Sequence, residues 1–294
     1  MRRPIDRDDG PALALARGLL AVAVALFALP AAAQGNGPEA GETIFDGDFL
    51  VVGAGGVFLP SYEGSDDLTF TPGAAVAGQV GGIRIAPRAA GAAFDLVPDA
   101  PDAKVGLIAG PVIRYRFNRT GGVEDEVVEA LGELDGVFEA GPYMGLRIHG
   151  VLHAYDMLTI AGDLRFAISG KDAGTVFVPG FNYLTPLSQA DVFGFGASVS
   201  IVDDDYAQYN FSVDAAGSAA SGLPQYRAEG GFKDWSLLAY YGHDLDGDLR
   251  NGGFVLGSGL MFTRIRGSAA DSPIVALRGS TSQWFFGAGL GYIF

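Results

Sequence analysis

The closing stretch of the chain, QWFFGAGLGYIF from Gln283 to Phe294, restricts the fold more than any other. Taken in twos from the last residue, Phe294, Tyr292, Leu290, Ala288, Phe286 and Trp284 share one face, wholly apolar and aromatic at both ends. Ile293, Gly291, Gly289, Gly287, Phe285 and Gln283 share the other, which is mostly glycine. Period-two alternation is a strand signal, because successive side chains leave opposite faces of a sheet. In water such an edge invites aggregation. With lipid on the apolar face it is the pattern of an outer-membrane barrel strand, and about 9–11 tilted residues suffice to cross. Tyr292 and Phe294 close the chain in a way that resembles the signal read by bacterial barrel-assembly machinery.

The same alternation recurs upstream. Strands are expected near 49–59, 74–85, 92–97, 104–118, 136–149, 157–169, 175–184, 191–201, 225–232, 235–243 and 253–265, with the terminal strand completing the set. In the fourth, Val105, Leu107, Ala109, Ile113, Tyr115 and Phe117 face one way, and Lys104, Arg114, Arg116 and Asn118 the other. The next two place Glu139, Arg147, Asp163 and Arg165 opposite an apolar face, and the ninth adds Arg227 and Glu229. Charge inside and apolar residues outside is the sign of a membrane barrel. The expected fold is therefore all-β: an antiparallel transmembrane barrel of about twelve strands over residues 49–294, ten being the alternative count. Val127, Val128, Leu131 and Leu134 have helical spacing, so one short helical linker is expected within 124–134. A second irregular segment follows Val202. Strand parity from a periplasmic N-terminus places both linkers in the periplasm.

The N-terminus supplies delivery. Arg2, Arg3, Arg7 and Arg17 precede an apolar run from Gly18 to Leu29 and then Ala31-Ala32-Ala33. This reads as a signal peptide over residues 1–33, cleaved near Ala33, with a polar periplasmic lead-in over 34–48. The formal charge of −15 argues against nucleic acid as a partner. The chain has no Cys, so neither a disulfide framework nor an N-terminal lipidated Cys is available.

Five short pieces carry a family resemblance. They are Tyr62-Glu63-Gly64-Ser65-Asp66-Asp67, Leu131-Gly132-Glu133-Leu134-Asp135, Ser221-Gly222-Leu223-Pro224-Gln225-Tyr226, Ala270-Asp271-Ser272-Pro273 and Gly291-Tyr292-Ile293-Phe294. In this order the chain resembles the MipA/OmpV family of outer-membrane proteins, named for the MltA-interacting protein. The chain departs from the family at Asn118-Arg119, where Gly-Arg is usual, and at Ile293, where Arg is usual. The resemblance implies an outer-membrane barrel that links a lytic transglycosylase with a peptidoglycan synthase. Other relatives look like adhesins or routes of entry for small molecules.

Two functions follow as expectations: a scaffold for peptidoglycan-processing enzymes or, alternatively, a narrow pore for small solutes or a surface adhesin. No catalytic, cofactor-binding or metal-ligating set is assigned, and no enzyme activity is expected. His149 and His153 are four apart in a strand-turn context, which does not converge two imidazoles as a helix would. Asp244, Asp246 and Asp248 begin like a calcium loop, but its sixth and twelfth places hold Leu249 and Val255. Tyr62-Glu63-Gly64-Ser65 reads equally as a ligand-contacting loop or a turn shaped by Gly64, and Ser221 to Pro224 as a lumenal plug or a turn.

Overall fold

Alternation at period two and glycine-rich turns build a closed antiparallel barrel of twelve strands. A computed structural model of the chain describes residues 44–100, 103–170 and 172–294. The leader and most of the lead-in, residues 1–43, lie outside the described residues. In chain order the strands are β1 (Phe49–Pro60), β2 (Leu68–Val80), β3 (Ile83–Arg88), β4 (Gly91–Asp95), β5 (Val105–Arg116) and β6 (Val137–His149). They continue as β7 (Met157–Ala167), β8 (Thr175–Pro186), β9 (Asp191–Val202), β10 (Gly231–Asp244), β11 (Gly253–Ile265) and β12 (Ser282–Ile293). Each strand pairs with its sequence neighbours, and β12 closes onto β1.

The closing register explains the glycines of the last strand. Gly53, Gly55 and Val57 stand opposite Gly291, Gly289 and Gly287, and β11 sets Gly257 and Gly259 beside Gly289 and Gly287. A Cβ on Gly55 would lie 2.2 Å from the Ala288 carbonyl oxygen, so only glycine permits this approach. Outside, Trp284, Phe286, Leu290 and Tyr292 are exposed, as alternation requires of a lipid-facing surface. Aromatics meet near one rim, with Trp235, Phe262 and Trp284 at centroid spacings of 5.4 and 4.7 Å. Others meet near the opposite rim, with Phe254, Tyr292 and Phe294 at 4.9 and 4.7 Å.

The strand total matches expectation through two compensating differences. The expected strand 74–85 is a hairpin: Gly81 and Gly82, at φ 59° and 79°, turn β2 into β3. The expected strand 225–232 does not form. Only Tyr226 bridges, to Val213, and β10 begins at Gly231. One extra strand before the linkers reverses their parity. Both long linkers, 117–136 and 203–230, leave the barrel at the end opposite the two termini, not at the N-terminal end as expected.

These connections carry more helix than expected. The expected linker helix is α1 (Glu126–Glu129), capped by the Asp125 carboxylate on the Val127 and Val128 N–H groups. The second linker holds α2 (Asp204–Phe211) and α3 (Ala215–Ser221), capped by Asp203 and Asp214. The last connection holds α4 (Gly267–Asp271) and α5 (Pro273–Ala276). No described helix is long and apolar enough to cross a membrane.

The face assignment predicts the outcome of substitution along β12. Leu290→Arg should destabilise the refolded barrel by about 2–4 kcal/mol, since it puts a cation in the hydrocarbon. Gly287→Ala should be nearly silent, its Cβ 3.6 Å from the nearest atom, whereas Gly289→Ala should cost more, at 2.8 Å from the Ala54 carbonyl oxygen. Urea titration followed by heat-modifiable gel mobility ranks the three.

Candidate functional site

Four connections at the end opposite the termini, 61–67, 117–136, 203–230 and 266–281, fold together into a cap. Tyr62 from the β1–β2 loop, Val128 from α1, Val213 and Leu223 from the second linker and Ile274 from α5 form one buried cluster. Beneath it, Tyr206, Ala207 and Phe211 of α2 pack on Val176, Val202 and Ile265 at the ends of β8, β9 and β11. The Tyr206 to Phe211 face of α2 is thus seated in the mouth of the barrel.

Most of the motif residues read from the sequence converge here. Tyr62 donates to the Arg278 carbonyl oxygen at 2.8 Å. Burial, with the nearby Asp125 carboxylate, pushes its phenol well above the usual range. The Glu63 amide donates to Asn118 Oδ1 at 3.0 Å, and its carboxylate pairs with Lys233. Gly64 stands at φ 106°, its amide donating to Gln283 Oε1 at 3.0 Å, and an added Cβ would lie 2.5 Å from Val275. The Ser65 carbonyl oxygen accepts from Gln283 at 2.9 Å. Ser272, fully buried, donates to the Phe211 carbonyl oxygen at 2.6 Å and caps α5 ahead of buried Pro273. Ser221 ends α3, Gly222 takes the left-handed turn at φ 76°, and Leu223 enters the cluster with Tyr226 packed against it. Asp271, Gly222 and Pro224 stay at the surface. At the other rim, Tyr292 and Phe294 face outward, far from the cap.

Below the cap the lumen is ionic. Arg88 of β3 binds Asp163 of β7 through two bonds of 2.8 and 3.0 Å. Arg165 joins Asp163 to Glu139 at 3.0 and 3.1 Å, and Arg116 takes the other Glu139 oxygen at 2.7 Å. Arg116 continues to Asn210 of α2 at 2.9 Å and stacks on Tyr206 at 4.3 Å, tying lattice to cap. Lower down, Arg147 binds Asp95 and Asp99 at 2.9 and 2.8 Å, and Arg84 reaches Asp99 at 3.3 Å. The inward placement of Arg114, Arg116, Arg147, Arg165, Glu139 and Asp163 agrees with the alternation. That of Lys104, Arg227 and Glu229 does not: all three are exposed outside the strands. Arg84 and Arg88 escaped notice because the Gly81-Gly82 turn was read through. With that turn placed, Ile83 and Ile85 alternate with Arg84 and Ala86.

Two arginines are incompletely bonded, although Arg114 stands opposite Glu139 in the β5–β6 register. Arg114 Nε and Arg119 Nε and Nη1 are buried without a hydrogen-bond partner. Arg119 is 5% exposed and holds a left-handed φ of 52°, a conformation that costs an ordinary residue energy. Burial pulls its basicity down. Both line a cavity of about 1460 Å³ between the cap and the far end of the barrel. That far end is closed by apolar side chains: Phe45 and Phe49, edge to face at 5.1 Å, pack with Leu184, Val192, Tyr240 and Leu249.

His149 lies at the edge of these charges, its Nε2 3.8 Å from Asp99, while the other two histidines and the acidic turn stand apart. His243 meets Asp191 at 2.8 Å and His153 meets Thr185 at 2.7 Å. Asp244 turns its carboxylate onto the amides of Asp246, Gly247 and Asp248, which makes that loop a self-capped turn.

A family model described as MltA-interacting protein MipA matches residues 52–294. No curated protein matches the sequence. Among solved structures the chain is similar to a CymD monoaromatic hydrocarbon channel, at 10% identity and TM-score 0.33, covering 84% of this chain and 88% of that one. It is also similar to OccK11 (OpdR) of Pseudomonas aeruginosa, at 13% identity and TM-score 0.30, covering 86% and 97%. Likenesses this loose carry no inference about activity.

Two outcomes follow from the geometry. Glu139→Ala should cost about 3–5 kcal/mol in urea unfolding, because it leaves Arg116 and Arg165 buried with less counter-charge. The cap should loosen in acid. Burial opposes ionisation of Asp125, but Arg278, at 2.7 Å, and the two capping amides hold its carboxyl below the usual range. Its stabilisation is therefore full above the unfolded value of about 3.9 and lost as pH falls through the lower folded value. Protease nicking of residues 203–230 should rise below about pH 4, and Asp125→Asn should show that nicking already at neutral pH.

Proposed function

The chain belongs to the MipA family and is an outer-membrane β-barrel, and from that premise we propose that it is a gated, narrow passage for small anionic solutes. One observation carries this reading: a cavity of about 1460 Å³ lined by Arg114 and Arg119, whose buried guanidinium nitrogens have no hydrogen-bond partner. A buried cation without a partner is costly, and a bound carboxylate or phosphate would offset that cost. Barrels of eight strands are filled by side chains and those of 16–18 leave open channels, so twelve strands suit a restricted path. The two closures differ in kind. The cap is knitted by hydrogen bonds as well as two apolar clusters, while the opposite end is shut by Phe45, Phe49 and their apolar neighbours alone. The second is the simpler gate.

With both termini in the periplasm, the aromatic gate faces the periplasm and the cap faces outward. Delivery would use the leader of residues 1–33, cleavage near Ala33, and recognition of Tyr292 and Phe294 by the barrel-assembly machinery.

A second reading rests on the family's own description as an MltA-interacting protein. Here the barrel holds a lytic transglycosylase and a peptidoglycan synthase at the periplasmic rim. The described surface available there is the turns 81–82, 150–156, 187–190 and 245–252 with residues 96–100, since the long linkers lie at the other end. Enrichment of murein enzymes in a pull-down against an unrelated barrel tests it; no enrichment removes it.

Planar-bilayer recording tests the passage. The wild-type protein should give small, anion-preferring steps. The double variant Phe45→Ala/Phe49→Ala should raise unit conductance several-fold, and Arg114→Ala should weaken anion preference. Conductance equal to bare lipid for both wild type and the double variant overturns the reading.

A further inference from the structure

The wall of this barrel is unevenly sewn. β1 pairs with β2 at twelve positions, and β5 with β6 at twelve. β2 pairs with β3 at only three, from Gly78↔Ile85 to Val80↔Ile83, and β4 with β5 at three. Above Gly78 the far edge of β2 faces no strand. Among the described residues no ladder pair or other backbone hydrogen bond joins residues 68–77 to 86–90. In hydrocarbon such an edge is expensive, because lipid offers it no partner. Pro72 in β2 and Pro87 in β3 reduce the cost, as each brings no N–H to the seam. At the top one contact crosses toward the cap, Thr69 Oγ1 to Glu124 Oε1 at 3.4 Å.

The β3–β4 hairpin that borders this seam has three ladder pairs to each neighbour and is braced by its side chains. Arg88 reaches across the lumen to Asp163, and Arg84 to Asp99. The outer rim of the seam is apolar and aromatic. Phe70 is 58% exposed, and Tyr115 stands 4.6 Å from both Phe117 and Phe138. Immediately inside lies Arg114, opposite Gly91 in the β4–β5 register, and Arg119 follows three residues past the end of β5. Phe70, Pro72, Ala90, Arg88, Arg114 and Arg119 all line the same cavity, so lipid-facing rim and unpaired cations belong to one space.

We infer that the seam between β2 and the β3–β4 hairpin is a side door for amphipathic anions of the long-chain carboxylate class. The head group sits on Arg114 and Arg119, and the chain lies against Phe70 and Phe138 toward the bilayer. This deepens the anion-passage reading and rests on it for the lumenal site, though the seam itself does not depend on it. An ionic head satisfies the orphaned guanidinium nitrogens, while an apolar tail covers an edge that neither water nor a strand covers.

The chain has no Cys, so a cross-link can be placed cleanly. The β2–β3 register continued upward sets position 74 opposite 89, and Ala74→Cys/Ala89→Cys should close the door on oxidation. In liposomes, capture of 11-(dansylamino)undecanoate should slow at least tenfold when the disulfide forms and recover on reduction. Chloride conductance of the same protein should not change. Capture at the wild-type rate with the disulfide formed overturns the side door. Absent conductance with capture intact and disulfide-sensitive overturns only the passage reading. Arg114→Ala/Arg119→Ala should lose capture at least tenfold; unchanged capture overturns the head-group site.

A second measurement needs no disulfide. In a Trp235→Phe/Trp284→Phe background, Thr71→Trp places a reporter on the lumenal side of the seam, and Ser198→Trp one on a wall paired on both edges. Dibrominated phosphatidylcholine should quench the first at least twice as much as the second. Equal quenching means that lipid chains do not reach the seam and overturns the inference.

Discussion

Backbone hydrogen bonding in hydrocarbon is the constraint on which this structure depends. A peptide group facing lipid has no solvent to bond, so a sheet in the membrane must close on itself. The chain meets that demand by bringing β12 onto β1, its last strand onto its first, through a row of glycines that lets the two backbones approach. Closure then turns every strand's odd or even set inward. The exterior can be wholly apolar because the interior is free to be something else.

What fills the interior is charge, and its arrangement is collective. Asp163 is shared by Arg88 and Arg165, and Glu139 by Arg165 and Arg116, so each buried carboxylate bridges two guanidiniums. Removing water from any one of these groups alone would cost several kcal/mol. Held as a lattice, they fix the relative positions of β3, β5, β6 and β7 and reach into the cap through Arg116 and Asn210. The same lattice leaves Arg114 Nε and Arg119 Nε and Nη1 without hydrogen-bond partners, and a site follows from that shortfall. The hairpin with the fewest backbone pairs is also the one that Arg88 holds from inside. Strand pairing, ion pairing and the lumenal opening are thus parts of one balance.

Much of the wall was legible from residues alone. In β5, β6, β7, β9 and β12 the side chains face as their alternation indicates, because the period of a strand is two whatever lies around it. Gly81-Gly82 carried a turn signal that the apolar run around it obscured, and missing it reversed the side of every connection from there to residue 230. The opposite error came at 225–232, where alternation suggested a strand but the chain is drawn into the cap through Tyr226 and Ala228. Asp125, Asp203 and Asp214 announce helix starts in hindsight, since each cap is a local carboxylate-to-amide bond. The short helices that follow have too few turns to show a period.

The candidate site divides in the same way. Tyr62, Ser272 and Leu223 could be marked as motif residues from the sequence, but nothing in their spacing places three segments up to 210 positions apart in one cap. By itself the sequence determined the barrel, its inward and outward faces and its greasy exterior, because those follow from local periodicity and the solvent. Only the tertiary structure decided which arginines find a carboxylate, which mouth is capped and where the wall is thinly paired. Those depend on register and closure, in which a single misplaced turn carries half the chain to the other side of the membrane.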